Sequence, residues 1–373
     1  MPVIIGALLE GAPREMRVSL VPEVAGKLIR AGAQIVMERG AGERARFPDG
    51  AYQGVQWTDA AGVLAQAQVL LTVQPLPLER IRLLKSGSVL IGFLQPYARP
   101  EEVRALKDGG VTSFSMELVP RISRAQSMDA LSSQASIAGY KAVLIAAGHL
   151  QKFLPMLTTA AGTIRPAQVL VIGAGVAGLQ AIATAKRLGA IVEAYDVRGA
   201  TREQVKSLGG KFVETGVSAE GSGGYARELT DEEKRKQQEV LDARIAAADA
   251  VVTTAAVPGR PAPKIILRAA VERMRPGSVI VDVAAEQGGN CELTRAGETV
   301  THGDVEVVGP VNLPAQLAYN ASEMYARNLF NFLTPALKQG EIAIDCIDEV
   351  FEKSCLTHAG EIRHEPTRKA IEG

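Results

Sequence analysis

A β-branched run, Val169-Leu170-Val171-Ile172, leads directly into Gly173-Ala174-Gly175-Val176-Ala177-Gly178, a G-x-G-x-x-G sequence that opens a helical pattern. Each glycine has a task if a pyrophosphate lies against this turn. Gly173 permits the tight turn, Gly175 lets the backbone approach the phosphates, and Gly178 allows the helix to pack closely on the strand. The phosphate charge would then sit at the positive end of the helix. Eighteen residues beyond Gly178 the next strand ends at Asp196. A carboxylate there accepts hydrogen bonds from the adenosine ribose hydroxyls and repels a 2′-phosphate, which favours NAD over NADP. Arg198, two residues on, works against that preference.

Other chemistries find little support. Cys291, Cys346 and Cys355 and the four histidines match no zinc-ligand spacing, so no metal site is expected. Lys plus Arg and Asp plus Glu both number 41, and the resulting net charge of zero speaks against a nucleic-acid partner. The longest apolar runs, such as residues 142–148, reach about seven residues against the roughly 18 of a membrane-spanning helix. The start, Met1-Pro2-Val3-Ile4-Ile5-Gly6, has no basic segment before its apolar residues and reads as a buried strand rather than a signal peptide.

The glycine turn needs a sheet to hold it, and the chain alternates strand and helix patterns throughout. Strands are expected at 3–9, 34–38, 69–73, 89–94 and 111–116, with helices at 22–32, 58–67, 78–85 and 100–108 between them. A second series has strands at 169–172, 191–195, 211–213, 250–254, 279–283 and 305–308. Apolar strands bounded by helices imply parallel sheets covered on both faces. Long helical stretches at 132–157 and 314–337 flank the second series, so the chain leaves one domain by the first and returns by the second. The fold class is therefore α/β, with two Rossmann-like domains: a discontinuous one of residues 1–135 and 315–373, and one of residues 136–314. Residues 215–230, with Gly216, Gly221, Gly223 and Gly224, read as a solvated loop or a glycine-hinged lid, and the charged run Asp231–Lys236 as a helix start.

The stretch Met116-Glu-Leu-Val-Pro-Arg121-Ile-Ser-Arg-Ala-Gln126-Ser-Met-Asp129-Ala-Leu-Ser132-Ser-Gln resembles the signature loop of the proton-translocating nicotinamide nucleotide transhydrogenases, in their peripheral NAD(H)-binding component. Ala177–Gly189, Gly209–Val213, Pro276–Ile280, Gly288–Cys291 and Asn328–Thr334 support the same match, which extends over essentially the whole chain. The resemblance implies that Gln126 contacts the NAD(H) ribose, that Arg121 and Asp129 pair and shape the nicotinamide pocket, and that Ser132 hydrogen-bonds the carboxamide. These four form the expected catalytic set. The expected NAD(H)-binding set is Gly173, Ala174, Gly175, Val176, Gly178, Asp196, Val197, Arg198, Gly224, Tyr225, Thr254 and Ala255, with Tyr225 on a mobile loop near the adenosine.

The related alanine dehydrogenases are the alternative. They resemble this chain at Glu15-Met16-Arg17-Val18, whose arginine holds a substrate carboxylate in those enzymes, but place a lysine at the position of Gln74 and a histidine at that of Gln95. Reductive amination needs groups that exchange protons, and a glutamine does not titrate near neutrality. Hydride transfer between two nicotinamides needs no such group. The resemblance further implies a homodimer, peripheral on the cytoplasmic face of the inner (plasma) membrane. Its partners would be an NADP(H)-binding domain and membrane subunits forming the proton channel, and NAD(H) would lie in the cleft between its own two domains. Asp282 and Glu286, at and after a strand end, are candidates to line that cleft, with a strand-terminal cap the alternative for Asp282.

Overall fold

Runs of Val, Ile and Leu become the central strands of two separate sheets. The computed structural model describes residues 2–216, 230–256, 261–338, 340–345 and 347–372. The chain divides into two compact units, Met1–Gln134 with Pro314–Gly373, and Ala135–Leu313. Both are Rossmann-like α/β structures, and no helix among the described residues is long and apolar enough to cross a membrane.

In the first unit the strand order is Glu361–Ile362, Cys355–His358, Thr112–Ser115, Val89–Gly92, Val69–Leu71, Ile4–Ala7, Gln34–Glu38 and Val55–Thr58. All neighbours are parallel except the two pairings made by Cys355–His358. The first strand lies between the second and fourth of the series, so the winding reverses there. The returning segment completes the core: Tyr325, Leu329 and Phe332 of the Ala318–Leu333 helix are buried. Phe332 packs 5.5 Å from Phe114 and 5.1 Å from Phe351, measured between ring centroids.

The second unit orders its strands Lys211–Phe212, Ile191–Tyr195, Gln168–Ile172, Ala250–Thr253, Val279–Asp282, Val305–Val308 and Thr299–His302, parallel except the last pair. Again the first strand, Gln168–Ile172, stands where the winding reverses, between Ile191–Tyr195 and Ala250–Thr253. Ligands of open α/β sheets bind at the carboxyl ends of strands at such points.

The differences from the expected elements lie mostly at the edges. The strands Val55–Thr58, Thr299–His302 and Cys355–His358, and the Leu157–Thr159/Gly162–Ile164 hairpin, are additions to the expected series. These segments are short and mix polar with apolar residues, so their pairing follows from a neighbouring strand rather than from local pattern. The expected helix at 132–157 runs Ala130–His149 instead and gives way to the hairpin. The charged run opens the Asp231–Ala247 helix, where Thr230 and Glu233 form a capping box and three acidic residues occupy the first turn.

Candidate functional site

The glycine turn stands at the reversal point of the second sheet. Gly173 adopts φ +92°, a left-handed conformation that favours glycine, and its N–H donates to the Tyr195 carbonyl at 2.8 Å. A Cβ at Gly178 would run into the Gly173 carbonyl oxygen, so the Val176–Arg187 helix sits on the turn only without a side chain there. Gly175 is different: a Cβ there would meet nothing within 4 Å. The fold has no steric need of glycine at that position, and the room above it is the kind a pyrophosphate uses. No side chain among the described residues caps the helix, leaving first-turn N–H groups aimed at that room. The residues fit a dinucleotide.

Asp196 ends the adjoining strand, 8% exposed. It accepts from Ala174 N at 2.7 Å, Arg198 N at 2.8 Å, Arg198 Nε at 2.9 Å and Arg198 Nη2 at 3.0 Å. Burial works to raise its carboxyl, but these donors, the Arg198 guanidinium foremost, hold it below the ordinary aspartate value. The Ala174 N–H is thus already engaged. Val176 and Val197 present exposed apolar side chains.

Across the turn, the Thr254 hydroxyl donates to the Gly173 carbonyl at 3.1 Å. Both backbone groups of Ala255 are bound by one buried side chain, that of Asn290. Its Oδ1 accepts from Ala255 N at 3.1 Å and from the Thr253 hydroxyl at 2.6 Å, and its Nδ2 donates to Ala255 O at 2.7 Å and Pro263 O at 2.9 Å. Ala255 can therefore offer a ligand only contact. Asn290 is a site-building residue that sequence reasoning passes over; its one visible signal is the Gly288-Gly289-Asn290 turn. Asp282 is fully buried and caps its strand, accepting from Ala284 N, Cys291 N and the Thr294 hydroxyl, while Glu286 is exposed and accepts from Asn312 N. Gly224 and Tyr225 lie outside the described residues.

The four expected catalytic residues all belong to the first unit. A 3-10 turn, Ser123–Met128, buries Ala125 and Met128, and the side-chain amides of Asn328 and Asn331 hold its Ser127 carbonyl at 2.9 and 3.1 Å. Arg121 and Gln126 are left exposed. The expected Arg121–Asp129 pair is not formed. Asp129 instead binds Ser132, accepting from its N–H at 2.8 Å and its hydroxyl at 2.6 Å. The reason is local: Asp129 precedes the Ala130–His149 helix, and its carboxylate satisfies a first-turn N–H there.

The reversal point of the first sheet carries a second polar cluster. Glu15 pairs with Arg17 through two bonds, at 2.8 and 2.7 Å, and Arg17 also donates to Gln134 at 2.8 Å. Gln74 donates to Glu15 at 2.9 Å and accepts from Gln95 at 3.3 Å. Glu10 accepts from the backbone N–H groups of Val73 and Gln74, and burial pushes its carboxyl up to about 7. Glu117 similarly accepts from Leu94 N, Gln95 N and the Ser115 hydroxyl, and burial raises it too. Arg17 is neutralised by Glu15, and positions 74 and 95 carry amides. Among the described residues this cluster therefore offers no uncommitted cation to a carboxylate substrate, and its two glutamines supply no base.

Comparison with known proteins gives the family. The model of the alanine dehydrogenase/PNT N-terminal domain matches residues 6–138, and that of the C-terminal domain residues 142–365. The chain is 46% identical over 369 residues to the first part of the NAD(P) transhydrogenase subunit alpha of Rhodospirillum rubrum, covering 95% of this chain and 96% of the relative. It is also similar to the solved structure of a transhydrogenase from Sinorhizobium meliloti, at TM-score 0.88 and 44% identity over 96% of this chain and 99% of that one. An L-alanine dehydrogenase structure superposes at TM-score 0.81 with 25% identity over 99% of each chain. The chain belongs to the alanine dehydrogenase/PNT family, and within it to the NAD(P) transhydrogenase alpha subunits.

Proposed function

We propose that this chain is the NAD(H)-binding subunit of a proton-translocating transhydrogenase, acting with a partner domain that holds NADP(H) and with separate membrane subunits. The observation that carries the reading is the open space above Gly175 beside an uncapped helix end, with the Asp196 carboxylate at the neighbouring strand terminus. When bound, NADH supplies a hydride directly to the nicotinamide of the partner's NADP⁺. The chain's own residues bind and orient. The turn at Gly173–Gly178 and the first-turn N–H groups hold the pyrophosphate, Asp196 and Arg198 with Val197 take the adenosine, and Thr254 and Ala255 flank the turn. Gln126, Arg121, Asp129 and Ser132 orient the ribose and nicotinamide. A direct hydride transfer moves no proton at the reacting carbon, so glutamines at positions 74 and 95 suit it. We assign the assembly to a homodimer and its place to the cytoplasmic face of the inner membrane.

Stopped-flow measurement of hydride transfer tests this. The purified chain with NADH should transfer rapidly only when an NADP(H)-binding transhydrogenase domain is added. Absence of transfer in the mixture would sink the reading, and NADH oxidation by pyruvate plus ammonia in the isolated chain would point to the dehydrogenase instead.

A further inference from the structure

We propose that Gly139, on a different helix from the glycine turn, is a positioning residue for the dinucleotide: its missing side chain seats the first turn of the Val176–Arg187 helix where that turn can meet a pyrophosphate. The proposal rests on the reading of the glycine turn as a dinucleotide site. Gly139 lies buried inside the Ala130–His149 helix. Glycine in a helix interior is destabilising relative to alanine, and no left-handed φ calls for it at this position. A close approach does. A Cβ at Gly139 would stand 2.0 Å from the Ala177 carbonyl oxygen, 2.8 Å from its carbonyl carbon and 3.0 Å from its Cα. All three are backbone atoms, which cannot swing aside as a side chain can.

Ala177 is the second residue of the Val176–Arg187 helix, so its N–H is among those a helix leaves without an intrahelical partner. Its turn is confined from two sides. Gly139 lies against the Ala177 carbonyl, and Gly178 lies against the Gly173 carbonyl. A methyl carbon and a carbonyl oxygen rest about 3.3 Å or more apart, so a side chain at Gly139 must part the two backbones by about 1 Å or more. The interiors of both helices resist that movement. Ala142 and Val143, one turn beyond Gly139, are buried in the core of the second unit, as are Ala181, Ile182 and Ala185 of the other helix. The first turn is the part that borders open space, at Gly175 and the exposed Val176. It therefore takes up the displacement, and a shift of about 1 Å is enough to break an N–H bond to a phosphate oxygen.

Equilibrium titration with NADH and with ADP-ribose tests this role. ADP-ribose carries the same adenosine and pyrophosphate without the nicotinamide, so a displaced pyrophosphate seat weakens both ligands alike. Gly139→Ala should weaken both by the same factor, roughly tenfold or more, in a protein that circular dichroism shows to be folded at the assay temperature. Gly148→Ala is the control. It makes the same change in the same helix, where a Cβ would meet nothing within 4 Å, and should bind both ligands as the unaltered chain does. If Gly139→Ala alone does not fold, Gly139→Ala/Gly148→Ala adds the helix propensity of a second alanine and is titrated in its place. Unchanged affinity in a folded Gly139→Ala protein overturns the proposal, as does a loss confined to NADH, which belongs to the nicotinamide end. Failure of both variants to fold overturns it too, since Gly139 then serves the fold alone. Failure of the unaltered chain to bind either ligand removes the dinucleotide reading itself, an outcome separable from the others.

Discussion

Single side chains here do work that their types alone do not reveal. Gln126 is exposed on a turn held in place by Asn328 and Asn331, so its substitution leaves the fold largely undisturbed. Gln126→Asn should slow hydride transfer by roughly tenfold and leave NADH affinity nearly intact, which single-turnover rates and titration separate. Glu10 offers a different signature. Its carboxyl rises from 4.5 to about 7 through burial, so between those values the folded state binds the proton more tightly than the unfolded one. Stability from this group is complete below pH 4.5 and is lost as pH rises through 7, by about 3 kcal/mol. Denaturant melts at pH 4.5 and 8 should show Glu10→Gln removing that share of the pH dependence; an identical slope in both proteins would refute the assignment. The roles of Glu10 and Glu117 are hard to foresee because each carboxylate binds backbone N–H groups that only a folded strand end supplies.

At the scale of elements, the glycine turn works as a joint of three segments: a strand, a helix and the loop after Ala250–Thr253. Gly178→Ala would press a methyl against the Gly173 carbonyl. It should cost about 1–3 kcal/mol and abolish tight NADH binding, readable as a lowered Tm together with a lost titration. The loop depends on Asn290, which is fully buried and satisfies four groups at once. Asn290→Ala strands several of them without partners, and should cost about 3 kcal/mol while weakening NADH binding; Tm and NADH titration read the two effects. In the first unit, Asp129→Ala removes a helix cap worth about 1 kcal/mol. Interior elements are legible because unbroken apolar runs and proline starts decide them locally, as in Val89–Gly92 and Pro100–Asp108. The edge strand Val55–Thr58 is not, since its backbone is claimed by Gln34–Glu38 and not by its own composition.

For the whole molecule, the discontinuity of the first unit is a stability statement. The Ala318–Leu333 helix places Tyr325, Leu329 and Phe332 in the core beside Phe114, and Phe351 closes the aromatic cluster. A chain ending at residue 313 lacks all of these except Phe114. Trp57, the single tryptophan, lies in that unit and packs edge-on to Tyr52 at 5.4 Å. Its emission in the truncated chain should shift to that of a water-exposed indole, and native-like emission would show the first unit to be self-sufficient.

The alternation of strands and helices, the place of the glycine turn, and the family can all be read along the chain, because they rest on local pattern and on residue types at fixed spacing. The partner that each charged group takes cannot; it emerges with the packed fold. Arg124 pairs with Asp348, Lys152 with Asp249 and Lys107 with Glu372, each across 97 residues or more. An ion's partner is set by burial and by the donors that distant segments bring within hydrogen-bond reach, and neither is written in the spacing of residues along the chain.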